Sequence, residues 1–225
     1  MTDRPEIMSR LKATLDKIHN PTVRFSRADQ RIHDARPALL PERGRSEGPG
    51  RTVLFVTEAK AAQAEVHQLA ALDDVVQAVA GLLQEAGIDR LKIAPDETLQ
   101  TLDWSGLDVA FGRGEGDDRA GLSLAYAGVA ETGTLVMRSC PASPTTLNFL
   151  PDLHMVVLRE EDLTANYEDV WAKLRAAAEP DQPVLPRTIN WITGPSRTAD
   201  IEQTLLLGAH GPRRLVILLI DAPET

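Results

Sequence analysis

The run Gly194-Pro195-Ser196-Arg197-Thr198, with Asp200 and Glu202 just beyond it, places two hydroxyls, a guanidinium and two carboxylates behind an apolar strand, Thr188-Ile189-Asn190-Trp191-Ile192. A strand that empties into a polar turn and then a helix is where α/β proteins bind anions, because unpaired backbone N–H groups point at the ligand. Gly194 and Pro195 break the strand, Ser196 or Thr198 can cap the following helix, and Asp200 and Glu202 fall in its first turn, where the dipole favours them. Gly208 would end that helix after Leu205-Leu206-Leu207. On this reading Gly194, Ser196, Arg197, Thr198 and Glu202 bind a carboxylate or phosphate. A capped helix whose Arg197 pairs with a nearby carboxylate accounts for the same residues.

A second group is Glu131-Thr132-Gly133-Thr134. A carboxylate and two hydroxyls around a glycine can meet a ligand at a strand end, with Glu131 as general base and Thr132, Gly133 and Thr134 as ligand contacts. A tight turn held by threonine hydroxyls explains the run equally well. His154, His210 and Asp200 complete the candidate proton carriers. His19, His33 and His67 have no ligand spacing with the other histidines, so no metal site is expected. Cys140 is the sole cysteine, which excludes an intramolecular disulfide and a cysteine-ligated iron–sulfur cluster within the chain. The glycines at Gly112, Gly114 and Gly116 are interleaved with acidic residues and precede no helix pattern, so they do not read as a phosphate loop.

The chain has 225 residues and a formal charge of −9, which disfavours nucleic acid and anionic membrane as partners over most of the surface. No apolar run approaches the roughly 18 to 20 residues of a membrane span, and no signal core opens the chain, so a cytoplasmic protein is expected.

Ile7, Met8, Leu11, Leu15 and Ile18 recur at helical spacing and predict an amphipathic N-terminal helix. Residues 20–50 are rich in charge and backbone breakers and read as a mobile linker, so the expected division is an arm over 1–50 and an α/β domain over 51–225. Within that domain, strands are expected at 52–56, 91–94, 107–111, 122–125, 134–137, 154–158, 188–192 and 215–220, with helices at 73–86, 166–178 and after Gly194. Unbroken apolar strands imply burial on both faces, hence a mostly parallel sheet with helices on both sides. The strands around Ala130-Glu131-Thr132-Gly133 are too closely joined for a helix, so antiparallel pairing is expected there. The strands at 188–192 and 215–220 would form a βαβ unit around the signature helix.

Three blocks in order carry a family resemblance: Ala130-Glu131-Thr132-Gly133-Thr134, Leu150-Pro151-Asp152-Leu153-His154, and Ile192 to Glu202 followed by Gly208-Ala209-His210-Gly211-Pro212. Together they resemble the LutC/YkgG lactate-utilisation proteins, the LUD-domain family, over roughly residues 105–221. The resemblance implies a NagB/RpiA/CoA-transferase-like Rossmannoid fold and a place in L-lactate oxidation beside iron–sulfur LutA/LutB-type partners. Oxidising lactate removes two electrons, and the chain carries neither a dinucleotide fingerprint nor cluster ligands. The expected role is therefore a non-redox subunit or accessory protein without its own cofactor, binding a small anion such as lactate, pyruvate or phosphate. The alternative is a stand-alone enzyme acting on a phosphorylated or CoA-type small molecule.

Overall fold

A computed structural model describes residues 4–18, 26, 39–177, 185–199, 205–208 and 210–221. By its contacts the chain divides into two units, residues 1–39 and 40–225. In the first, helix α1 (Arg4–Ile18) carries an i,i+4 pair between Glu6 and Arg10 at 3.1 Å and exposes Ile7, Met8, Leu11 and Leu15, as the helical spacing predicts.

The second unit begins with a 3-10 turn at Glu42–Arg45 and continues into helix α2 (Pro49–Ala61). Within the segment read from sequence as a mobile linker, residues 42–50 contain this turn and the start of α2, and Asn166 Nδ2 donates to the Gly44 carbonyl at 2.8 Å. Most of the remaining linker, 19–25 and 27–38, lies outside the described residues. Helix α2 replaces the strand expected at 52–56. Four consecutive apolar residues, Val53 to Val56, fit a buried strand or a helix equally. Pro49 at the first helical turn and the helix formers Glu58 to Ala61 decide for the helix, which buries only Thr52, Phe55 and Ala59 and leaves Val53 exposed.

Then follow β1 (Glu65–Leu69), α3 (Asp74–Ala86), β2 (Arg90–Ile93), the short α4 (Glu97–Gln100), β3 (Asp108–Phe111), β4 (Ala120–Leu124), β5 (Ala127–Val129), β6 (Thr134–Arg138), β7 (Leu153–Arg159), β8 (Leu163–Thr164), α5 (Tyr167–Ala176), β9 (Ile189–Ile192), β10 (Arg197–Ala199), β11 (Leu205–Leu207) and β12 (Arg214–Ile220). Six strands pair in parallel in the order β1-β12-β7-β4-β2-β3. A second sheet, β8-β5-β6-β9, contains the expected antiparallel β5–β6 pair.

Period-2 alternation sorts the two faces of the large sheet. Leu153, Met155 and Val157 of β7, with Val216, Leu218 and Ile220 of β12, pack beneath Val75, Val79, Leu82 and Leu83 of α3. The alternating residues Val156, Leu158, Leu215, Ile217 and Leu219 face Phe55 and Ala59 of α2 together with Leu135 and Met137 of β6. The second sheet in turn packs on Val170 and Leu174 of α5. One face of the parallel sheet is thus covered by a helix and the other by a helix plus a second sheet. Arg214 fastens β12 to its neighbour through two hydrogen bonds to Glu65, at 2.6 and 2.7 Å, and this holds the Glu65 carboxyl below its ordinary range.

Two further expectations are overturned. The signature segment is a hairpin, with Arg197↔Leu207, Thr198↔Leu206 and Ala199↔Leu205 paired antiparallel, and not a helix. The hairpin base is tied by Ser196 N–H to Pro212 O (2.8 Å) and Gly208 N–H to Ser196 O (2.9 Å). Hydroxyls followed by acids suit a helix cap, but Gly194 and Gly208 adopt positive φ (72° and 78°), which suits the ends of a hairpin. The βαβ unit disappears with the helix, because β9 lies in the second sheet and β12 in the first.

Candidate functional site

The signature turn borders a cavity of about 270 Å³ near the amino-terminal ends of β7 and β12. Gly194, Ser196, Arg197 and His210 line it, joined by Asn148, Phe149 and Trp191, which the sequence analysis did not single out. No carboxylate lines the cavity among the described residues. The Arg197 guanidinium therefore sets the sign of its charge, within a chain whose net charge is −9.

Arg197 is exposed and makes two hydrogen bonds, Nη2 to Ala62 O and Nη1 to Gln63 Oε1, both at 3.3 Å. Ala62 is the C-cap of α2, so the guanidinium also satisfies a helix-terminal carbonyl. A guanidinium has five N–H donors, and these two bonds use two of them. Asn148 is 3% exposed, and its Oδ1 has no hydrogen-bond partner among the described residues. Trp191 is held from behind by Tyr167 and Trp171, with ring centroids 5.1 and 5.5 Å away. Ser196 Cβ would lie 3.2 Å from a Cβ at Gly211, so Gly211 keeps that wall close.

The Glu131 to Thr134 group does not line this cavity. Thr132 Oγ1 pairs with Thr134 Oγ1 at 2.7 Å and with the Tyr167 hydroxyl at 2.8 Å, and Thr134 Oγ1 pairs with Thr193 Oγ1 at 2.7 Å. These hydroxyls satisfy one another and hold β6 to β9 behind the signature turn. Glu131 is buried beneath the Glu42–Arg45 turn, with its Oε1 3.6 Å from Arg43 Nε. Gly133 (φ 62°) and Gly194 both press on α2: a Cβ on Gly133 would stand 2.5 Å from Ala59 Cα, and one on Gly194 would strike the Ala62 carbonyl oxygen. The two glycines therefore serve close approach between backbones. Thr198 contributes its backbone to β10, while Asp200 and Glu202 lie outside the described residues.

His154 is fully buried, with Nε2 3.1 Å from Ser123 Oγ. Burial pushes its imidazole down from about 6.5 to about 4. The folded value lies below the unfolded one, so as pH falls the unfolded chain takes up this proton first. Stability from the neutral imidazole is present above about pH 6.5 and is lost between there and pH 4, a change of about 3 kcal/mol. Urea unfolding of wild type and His154→Gln at pH 7.5 and 4.5 checks this. The wild type should lose that share of stability and the variant should not; equal losses would remove His154 from the account.

A layered parallel sheet and a companion mixed sheet define the class, an α/β protein built around a six-stranded parallel sheet flanked by helices. Residues 51–220 match the family described as the LUD domain, and the chain belongs to that family. It is 30% identical to YkgG of Escherichia coli (strain K12), over 74% of this chain and 72% of that one. It is 31% identical to a protein named Lactate utilization protein C of Exiguobacterium, over 59% of this chain and 58% of the relative. An uncharacterised protein of Neisseria meningitidis serogroup B is 42% identical, over 45% of this chain and 42% of the relative, so two of these three matches span less than two thirds of the relative. A crystal structure of a DUF162 family protein from Deinococcus radiodurans shares the fold, with a TM-score of 0.55, 21% identity, and coverage of 76% of this chain and 96% of that one.

Proposed function

We propose that the protein works in lactate utilisation as a non-redox accessory component, and that the cavity beside Arg197 holds a small carboxylate, lactate or pyruvate. The observation that carries this reading is the lining of the cavity: the Arg197 guanidinium beside the His210 imidazole and the Ser196 hydroxyl, with no carboxylate among the described residues. Relatives named Lactate utilization protein C give the biological setting. A volume of about 270 Å³ lies below the roughly 300 to 1,000 Å³ of pockets for drug-sized ligands, which suits a three-carbon acid better than a CoA-type molecule.

Arg197 would supply paired N–H donors to the carboxylate, Ser196 a further donor, and Phe149 and Trp191 an apolar wall that strengthens those contacts by excluding water. A single cysteine cannot hold an iron–sulfur cluster, so the two electrons of lactate oxidation would pass to LutA/LutB-type iron–sulfur partners.

Titration with L-lactate, pyruvate and phosphate, followed by calorimetry and tryptophan fluorescence, tests both halves of the reading. Saturable binding of lactate or pyruvate that weakens with salt is expected, with a change in emission from Trp191, and no lactate-dependent dye reduction by the pure chain. Dye reduction by the chain alone would overturn the accessory role. Absence of carboxylate binding would overturn the site.

A further inference from the structure

A second cavity, of about 330 Å³, lies at the opposite, carboxyl end of the parallel strands, where β1, β12 and β7 finish. Its position follows from topology. The chain leaving β1 turns to α3 on one face of the sheet, whereas the chain leaving β7 turns to β8 on the other. Loops that part to opposite faces beyond the carboxyl ends of nearby parallel strands leave a crevice, the usual place for ligands in open α/β sheets.

The floor is apolar, formed by Ala70, Ala71, Leu72 and Ile220. The charged part is Arg159, Glu160, Glu161 and Asp221, three carboxylates against one guanidinium, a net −2. Arg159 is already engaged, with Glu161 Oε1 at 3.6 Å and the Thr98 hydroxyl at 3.1 Å. Glu160 accepts from the Thr52 hydroxyl. Asp221 is fixed at the end of β12 by its N–H bond to Leu69 O (3.0 Å), and it is exposed. Carboxylates accept hydrogen bonds and do not donate them, so the occupant must donate. Among the described residues no group of three or more His, Cys, Asp or Glu could hold a metal ion, which favours an organic donor over a bare cation. The charge is opposite to that of the cavity beside Arg197.

We propose that this crevice is a separate binding site for an organic ammonium compound with an apolar body, the ammonium group meeting Asp221 and Glu161 and the body lying on Leu72 and Ile220.

Three probes of similar shape separate charge from apolar burial: phenethylammonium, 2-phenylethanol and phenylacetate, each titrated into the full chain and followed by amide NMR shifts. Phenethylammonium should perturb residues 70–72 and 220–221, and phenylacetate should bind about tenfold or more weakly at the same place. The double substitution Glu161→Gln with Asp221→Asn lies on the exposed rim and should weaken ammonium binding roughly three- to tenfold while leaving the alcohol unchanged. Phenylacetate binding as tightly as the ammonium would overturn the proposal. So would indifference to the double substitution, or the absence of perturbation at residues 70–72 with all three probes.

Discussion

Replacing Gly133 with alanine should destabilise the protein by about 2 to 5 kcal/mol, the sum of overpacking and backbone strain. Gly133 has φ 62°, a conformation that alone costs a non-glycine residue about 1 kcal/mol. The larger share comes from steric conflict, since the new methyl would stand 2.5 Å from Ala59 Cα and 2.6 Å from the Glu58 carbonyl carbon. Helix backbone cannot move aside as the end of a flexible side chain can, so α2 would have to shift off the second sheet. Gly87 isolates the two effects: it has φ 61° at the end of α3, but a Cβ there meets nothing within 4 Å. Gly87→Ala should therefore cost only about 1 kcal/mol in urea or thermal unfolding. Equal losses in the two variants would mean that strain alone matters and that the Gly133–α2 contact is slack.

The same glycine shows how far the site could be read before the fold. Glu-Thr-Gly-Thr reads as a ligand loop or as a tight turn, and the choice depends on α2, which the apolar run at 53–56 disguises as a strand. Elements with clean periodicity were legible. α3, with Val75, Val79, Leu82 and Leu83 on one face, and the continuous apolar runs of β7 and β12 lie where the pattern places them. β1, Glu65-Val66-His67-Gln68-Leu69, was not, because an edge strand that is half exposed carries too few apolar residues to signal itself. Assignment of strands to two sheets was also beyond local pattern: β9 and β12 are both apolar and flank one short segment, yet their partners are β6 and β7.

Within the candidate site, Gly194, Ser196, Arg197 and His210 line one cavity. The reason differs from the expected one. A helix N-terminus would have gathered N–H groups; the hairpin brings Arg197 to the C-cap of α2 and leaves the guanidinium as the main cationic group. Asn148 and Phe149 join only through tertiary packing, since the turn at Thr145–Asn148 reaches the signature from far along the chain. A polar Asn148 set between Leu147 and Phe149 was the one local hint.

Loss of Arg197 is the second large effect expected. Arg197→Ala should weaken lactate or pyruvate binding by about 1.5 to 3 kcal/mol, roughly ten- to hundredfold, the range for hydrogen bonds to a charged group. Its cost to stability should be no more than about 1 kcal/mol, because the bonds to Ala62 and Gln63 are long and exposed. Arg197→Lys should retain part of the affinity, since it keeps the charge and loses the paired donors. The most direct measurement is calorimetric titration of wild type and Arg197→Ala with L-lactate and pyruvate, with the melting temperature of each protein taken in parallel. The account predicts that affinity collapses while the melting temperature scarcely moves. A sharp fall in melting temperature with unchanged affinity would contradict it, and would leave Arg197 as the cap of α2 and nothing more.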